Sequence, residues 1–485
     1  MKKSIILSLL CLVSFGFGQD AIETSDDSIS SNDLTPTTTI VATTTIGSTT
    51  PTNSDIPSSS DNDEDPTTSS SIPTPTDADT STIIRPSSTV ESESSKPTAT
   101  HKPYVPPTVK SSVCHALQTW YNSLNGKGWI VSTGWDSSNM TSCCTWYNVH
   151  CNSVGKVLKV DLSHNNLTGH FPNNFDQIPD LQNINFSFNN ISGTIPSSLN
   201  QLLSLQSINF DVNSLSGPLP DGFSKLVNLT NIHFKNNTIS GTIPSAWASM
   251  QSIQGMYFSN NNLSGPFPTV ITQMKTIQSI YLDNNKFNGV LPANLGDAVS
   301  LVSLNLKSNA LLGGIPVSIG NLTNLATLTL SYQMLNGTIP DQLYSLTGLQ
   351  ILDLSNNRLT GQISSSIGNL INLERLNLGH NSLTGLIPDQ ISQLTKLQSL
   401  SLNYNLLNGQ FPSISAPPAL GYCYMTPNQF QSCPDPSVTA NPNSLAFQCS
   451  INCSVQDKKK SSANRALVGY STMSFVVIYS LGLFL

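Results

Sequence analysis

Asparagine recurs every 24 residues through the middle of this chain, at Asn165, Asn189, Asn213, Asn237, Asn261, Asn285 and Asn309, then at Asn357, Asn381 and Asn405. The one position of the series without it, 333, holds Gln333. Four residues after every member stands a glycine, from Gly169 to Gly409. Seven residues after stands a proline, from Pro172 to Pro412, replaced once by Ser364. A period held over eleven copies without an insertion marks a solenoid, in which each coil packs only on its neighbours. A length of 485 residues would otherwise suggest several domains. A repeat array grows linearly and needs no single large core.

The copy LQILDLSNNRLTGQISSSIGNLIN around Asn357 shows the unit. Leu349, Leu352, Leu354, Leu359 and Ile363 are apolar, and Leu352 and Leu354 alternate with polar residues, which predicts a short strand with one face inward. Stacked coils then make a parallel sheet whose only open edges are its two ends. An inward asparagine amide can donate to and accept from backbone groups of adjacent coils, so the column is read as structural. Gln333 keeps the amide and should preserve the ladder. The glycine column points to a backbone position that needs φ above zero or excludes a Cβ. The proline column should hold an extended back. Phe186, Phe210, Phe234 and Phe258 share one inward strand position in successive coils and are expected in the core.

The ends differ from the middle. Residues 1–18 read as a signal peptide, with Lys2 and Lys3 before an apolar run too short to cross a bilayer. Residues 19–110 are a Ser/Thr/Pro-rich stalk expected to be disordered and O-glycosylated, with 14 acids against 4 bases from Asp20 to Lys110. Residues 111–156 gather tryptophans and tyrosines with Cys114, Cys143, Cys144 and Cys151. They are read as the N-terminal cap that a solenoid needs, with a helix at His115–Leu124 laying Leu117, Trp120, Tyr121 and Leu124 on the first coil. The repeats occupy 157–412. Residues 413–460 form a C-terminal cap and spacer with Cys423, Cys433, Cys449 and Cys453. Eight cysteines in a mature secreted chain imply disulfides. Residues 461–485, with small residues, a nine-residue spacer and a thirteen-residue apolar tail, fit a GPI-anchor signal attached at Ser461. A spanning helix is the rival reading, against the positive-inside tendency.

With the unit and its cap laid out, the chain resembles plant-type leucine-rich repeat proteins, as in LQILDLSNNRLTGQI and LERLNLGHNSLTGLIP and in the Cys143-Cys144-Thr145-Trp146 of the cap. The resemblance covers about residues 113–412. It is close to the ectodomains of receptor-like proteins and to polygalacturonase-inhibiting proteins. It implies an α/β solenoid, a right-handed superhelix of about eleven coils. The parallel sheet would line the concave face, with a second irregular sheet beside it and disulfide caps at both ends. It also implies the pairs Cys114–Cys143 and Cys144–Cys151. It is silent on the four C-terminal cysteines, for which three connectivities stay open.

A partner is expected on the concave strand positions that the repeat leaves free. Four residues before each Asn, and two before, the sequence places Asp211, His233, Lys235, Tyr257, Tyr281, Asp283 and Lys307 side by side. Exposed aromatics flanked by charge are what interfaces favour. A weaker group is Tyr332, Asp353, Arg375, His380 and Tyr404. Catalysis is not expected. Asp211 and Asp283 lie three coils, about 14 Å, apart, too far for a glycosidase pair, and no nucleophile–base set, metal cluster or phosphate loop is present. No cofactor or metal is called for. The body from Ser111 to Gln456 is near neutral, with 13 acids and 11 bases, which excludes a nucleic-acid footprint. N-glycosylation sequons stand at Asn139, Asn166, Asn190, Asn228, Asn236, Asn262, Asn321, Asn336 and Asn452, and at Asn185 on the concave strand. The leading expectation is a cell-surface module that binds an extracellular protein, peptide or glycan and signals through a membrane co-receptor. The alternatives are an inhibitor of wall-degrading glycosidases and a structural wall or adhesion protein.

Overall fold

The structure, a computed structural model, describes residues 107–432 and 434–451. The leader at 1–18, the stalk up to residue 106, Cys433, Asn452, Cys453 and the anchor signal with Ser461 lie outside the described residues. Among the described residues no helix is long and apolar enough to cross a membrane.

The 24-residue count is the register of one long sheet. Thirteen three- to five-residue strands line up side by side. Val149–Cys151 opens the sheet antiparallel to Val157–Asp161, and every later neighbour is parallel. Met256 sits opposite Ile232 on one side and Ile280 on the other, one full repeat away each time. Because the shift equals the repeat, inward residues of every coil face inward together. The molecule is thus a leucine-rich repeat solenoid.

Each asparagine ties its coil to the one before it. Asn261 donates from Nδ2 to the carbonyls of Phe234, at 2.8 Å, and Phe258, at 3.1 Å. Its Oδ1 accepts from the Ile239 N–H at 3.0 Å. Asn165 repeats the arrangement against the cap, accepting from Val131 N–H at 2.7 Å and donating to its carbonyl at 2.9 Å. Backbone groups of the turn that would be buried without partners are satisfied in this way. The ladder has one rung that the count of 24 does not reach. Asn428, 23 residues after Asn405, donates to Leu402 O and accepts from Leu407 N, and the strand Tyr422–Tyr424 joins the sheet past Pro412.

The other two columns have separable causes. Gly337 has φ of 72°, yet a Cβ there would meet nothing within 4 Å. Its left-handed backbone, not a lack of space, requires glycine. The proline column does not hold a continuous extended back. Pro340, at φ −70° and ψ 138°, hands over directly to the 3-10 turn Asp341–Ser345, and the same handover recurs in other coils. Proline suits this position because its fixed φ starts the turn and its missing N–H is not needed there. Ser364 substitutes with the same backbone, φ −65° and ψ 146°, and its side chain accepts from the Ser366 N–H.

The second sheet is irregular, as the resemblance implied. Six strands run from Thr168–His170 to Lys286–Asn288, and beyond them only two-stranded pieces form. Between the sheets lie the leucine columns and the four phenylalanines, all fully buried, with successive ring centroids 5.5–5.8 Å apart. Each such ring contributes about 1.5–3 kcal/mol by leaving water.

The N-terminal cap closes the exposed end of that column. Its helix Ser111–Ser123 buries Leu117, Trp120 and Tyr121, and Trp120 meets Phe175 at 4.6 Å and Phe186 edge-on at 5.6 Å. Tyr121, Trp129, Trp135 and Trp146 follow in a chain of ring contacts. Disulfides join Cys114 to Cys143 and Cys144 to Cys151. At the far end Cys423, on the last strand, is joined to Cys449. Of the three C-terminal connectivities, only the one containing this pair survives.

Candidate functional site

Strand register brings the predicted residues together. Asn209, His233, Tyr257, Tyr281 and Asn305 are consecutive cross-strand partners on the concave face. Their neighbours two positions on supply Asp211, Lys235, Ser259, Asp283 and Lys307. The aromatic rings are stacked along the solenoid axis. His233 lies 4.2 Å from Tyr257 at 12° between planes, and Tyr257 lies 5.4 Å from Tyr281 at 20°. Lys235 places its ammonium 4.9 Å from the Tyr257 centroid and 5.2 Å from that of Tyr281. Lys307 sits 5.3 Å from the ring of Tyr332. Both geometries are within cation–π range.

The carboxylates are engaged by neutral donors. Asp211 Oδ1 accepts from the Lys235 backbone N–H at 2.6 Å. Asp283 Oδ1 accepts from Asn305 Nδ2 at 3.0 Å and from the Ser259 hydroxyl, and its Oδ2 accepts from Asn284 Nδ2 at 2.9 Å. His233 Nδ1 lies 3.8 Å from Asp211 Oδ2. Burial first, and then the Lys235 charge, pushes His233 down to about 4. Burial pushes Asp211 up, with the Lys235 N–H and ammonium opposing. At neutral pH His233 is therefore an uncharged ring in a stack, and its contact with Asp211 is not an ion pair.

One contributor was missed at the sequence level. A Cβ at Gly255 would come within 2.5 Å of the Tyr257 ring and of Asn231 Oδ1. The ring folds back across its own strand over the space that glycine leaves. Equivalent strand positions carry Asn231, Ser279 and Ser303, so a glycine two residues before a concave tyrosine was the available signal.

The weaker group does not assemble as one cluster. Tyr332 joins the first group through Lys307. His380 stacks on Tyr404 at 4.2 Å. Asp353 Oδ1 accepts from Ser355 at 2.7 Å, and Arg375 is exposed. Among the described residues no group of His, Cys, Asp and Glu could hold a metal ion. Of the sequons, Asn139, Asn166, Asn190, Asn228, Asn236, Asn321 and Asn336 are exposed, whereas Asn262 and Asn185 are half-buried. Asn166 and Asn228 already donate their amides to the carbonyls of Gly128 and Leu203.

Comparison with known proteins agrees with this architecture. Models described as leucine rich repeat match residues 347–407, and residues 156–178, 180–202, 204–226, 228–250 and 300–322. No curated protein sequence matches the chain. Among solved structures, the chain is similar to the plant peptide hormone receptor RGFR1 in complex with RGF2, at TM-score 0.56 and 29% identity, over 57% of this chain and 45% of that one. It is similar to the ectodomain of the Arabidopsis receptor kinase HAESA in complex with an N-terminally extended IDA peptide hormone, at TM-score 0.56 and 27% identity, over 66% and 57%. A plant ice-binding protein, at TM-score 0.53 and 23% identity over 66% and 98%, shares the fold. The chain spans about half the length of the receptor ectodomains it matches. It carries leucine-rich repeats and is structurally similar to plant receptor ectodomains.

Proposed function

We propose that this chain is a cell-surface recognition protein that binds an extracellular ligand along its concave sheet and acts in signalling through a membrane co-receptor. The observation that carries the reading is the stack of His233, Tyr257 and Tyr281 on adjacent strands with Lys235 above it. Aromatic and cationic side chains held rigidly on a scaffold favour binding, because little side-chain entropy is lost on contact. The relatives with peptide hormones bound support a peptide as the ligand. The chain is further proposed to reach the surface through its leader and to be held there by a lipid at Ser461, with N-glycans on the exposed sequons.

The test is a pull-down from the extracellular fraction with the secreted chain and with a Tyr257→Ala, Tyr281→Ala double variant. A partner retained by the first and lost by the second is expected. If every retained partner ignores both substitutions, the concave patch is not the binding surface and a structural wall role gains. A panel of pectinases assayed with the protein separates the inhibitor reading, and phospholipase treatment of intact cells tests the anchor.

A further inference from the structure

Twelve lysine and arginine side chains fall among the described residues, and ten of them are exposed. The two that are half-buried, Lys235 and Lys307, both stand on the concave face, and each rests on a tyrosine ring. Among the described residues neither has a carboxylate oxygen within 4 Å of its ammonium, although Asp211 and Asp283 each lie one strand away. Those two carboxylates are instead held by the Lys235 N–H and by Ser259, Asn284 and Asn305. The face therefore presents two supported cations whose local acids are bonded elsewhere. The strands that carry them are three apart, about 14 Å between backbones at the usual spacing, and both side chains lean the same way along the sheet, Lys235 over Tyr257 and Tyr281 and Lys307 over Tyr332.

We propose that Lys235 and Lys307 select an extended peptide bearing two acidic side chains four residues apart, lying across the strands with one acid on each lysine. This rests on the concave face being the ligand surface. The spacing follows from chain geometry, since four residues of extended peptide reach about 13–14 Å. The charge follows from the lysines, which are partly desolvated and so interact more strongly with an anion than fully exposed ones do. A peptide is favoured over an acidic sugar because the faces of the three stacked rings are already covered. His233, Tyr257 and Tyr281 stack on one another and Lys235 lies over two of them, so a pyranose finds little open aromatic face there.

The experiment measures fluorescence anisotropy of labelled nonapeptides on the full secreted chain. Each peptide carries two glutamates in a neutral background, separated by one to six positions, with a diglutamine control and a uronic-acid oligosaccharide alongside. The tightest binding is expected at a separation of four. Lys235→Gln and Lys307→Gln should each weaken it about tenfold and flatten the dependence on separation. Lys286→Gln, an exposed lysine on the second sheet, should leave it unchanged. The proposal is overturned if diacid peptides bind no better than the diglutamine control, if Lys286→Gln costs as much as the concave lysines, or if the oligosaccharide equals the best peptide and depends on the same two lysines. A natural partner lost with Tyr257→Ala but indifferent to both lysine variants would remove this inference while leaving the concave face as the binding surface.

Discussion

Gln333 reaches back one coil and donates from Nε2 to the carbonyl of Leu306, while its Oε1 accepts from the Leu311 N–H at 3.0 Å. The longer amide thus occupies the rung that asparagine holds in the other coils. It does so incompletely. Asn357 also donates to Leu354 and Ser355 in its own turn, and Gln333 makes no matching bond to Leu330 or Ser331. The extra methylene carries the amide past them. Gln333→Asn is expected to raise stability by about 0.5–1.5 kcal/mol through the restored bonds. Thermal denaturation of the two chains checks this, and an unchanged or lowered midpoint would show that the coil has adapted to glutamine.

The same coil holds a second local mismatch. Ser331 is fully buried and its hydroxyl has no partner. In three other coils the equivalent serine donates to the residue two before it, Ser163 to Asp161, Ser187 to Asn185 and Ser355 to Asp353, and Ser259 donates to Asp283 of the next coil. Here that residue is Thr329, which makes no such bond. Removing an unbonded buried hydroxyl relieves its desolvation cost, so Ser331→Ala should stabilise by about 1 kcal/mol. Urea unfolding would measure it, and a clear loss of stability would mean the hydroxyl has a partner in solution.

His233 makes stability depend on pH. Its folded value is about 4 against 6.5 for the free side chain, so between these values the unfolded chain binds a proton that the folded chain does not. The contribution is fully present above about pH 6.5 and is lost as pH falls toward 4. The complete loss corresponds to about 3 kcal/mol. Asp211, facing His233, binds its proton more readily when folded and offsets part of this at the acid end. Lys235 and Tyr257 are the other ionisable side chains beside the ring. His233→Gln should therefore flatten the decline in stability between pH 7 and pH 4.5, read from denaturation midpoints. Parallel acid limbs in both chains would assign the dependence to other groups.

Gly255 should tune the site without disturbing the fold. A Cβ there displaces the Tyr257 ring, and one neighbouring strand already carries serine at this position, Ser279. Gly255→Ser is expected to shift the melting midpoint by a few degrees at most and to weaken capture of a concave-face ligand about tenfold. Undiminished capture would mean that the orientation of Tyr257 is not used in binding.

The repeat made most of the fold legible before any coordinates. A period without insertions leaves no freedom of register, so the Asn, leucine and phenylalanine columns could each be assigned to the interior, the Gly column to a backbone position of positive φ, and the concave rows could be read as lists. Asn428 escaped because its spacing is 23, set by the last turn and not by the repeat. The proline column was read in part: the prolines are extended, as expected, but the 3-10 turn that each one starts was not foreseen, because φ near −70° suits both extended chain and the residue before such a turn.

Within the site, the sequence determined which side chains are neighbours, since strand pairing depends on backbone bonds at a fixed shift of 24. It did not determine what they do with one another. Lys235 could have paired with Asp211 one strand away, but its ammonium lies over Tyr257 and Tyr281, while Asp211 Oδ1 accepts its backbone N–H. Inward residues have one place to go, because the core dictates it. Outward rotamers are chosen among contacts from coils 24 and 48 residues away, and only the tertiary structure brings those contacts together.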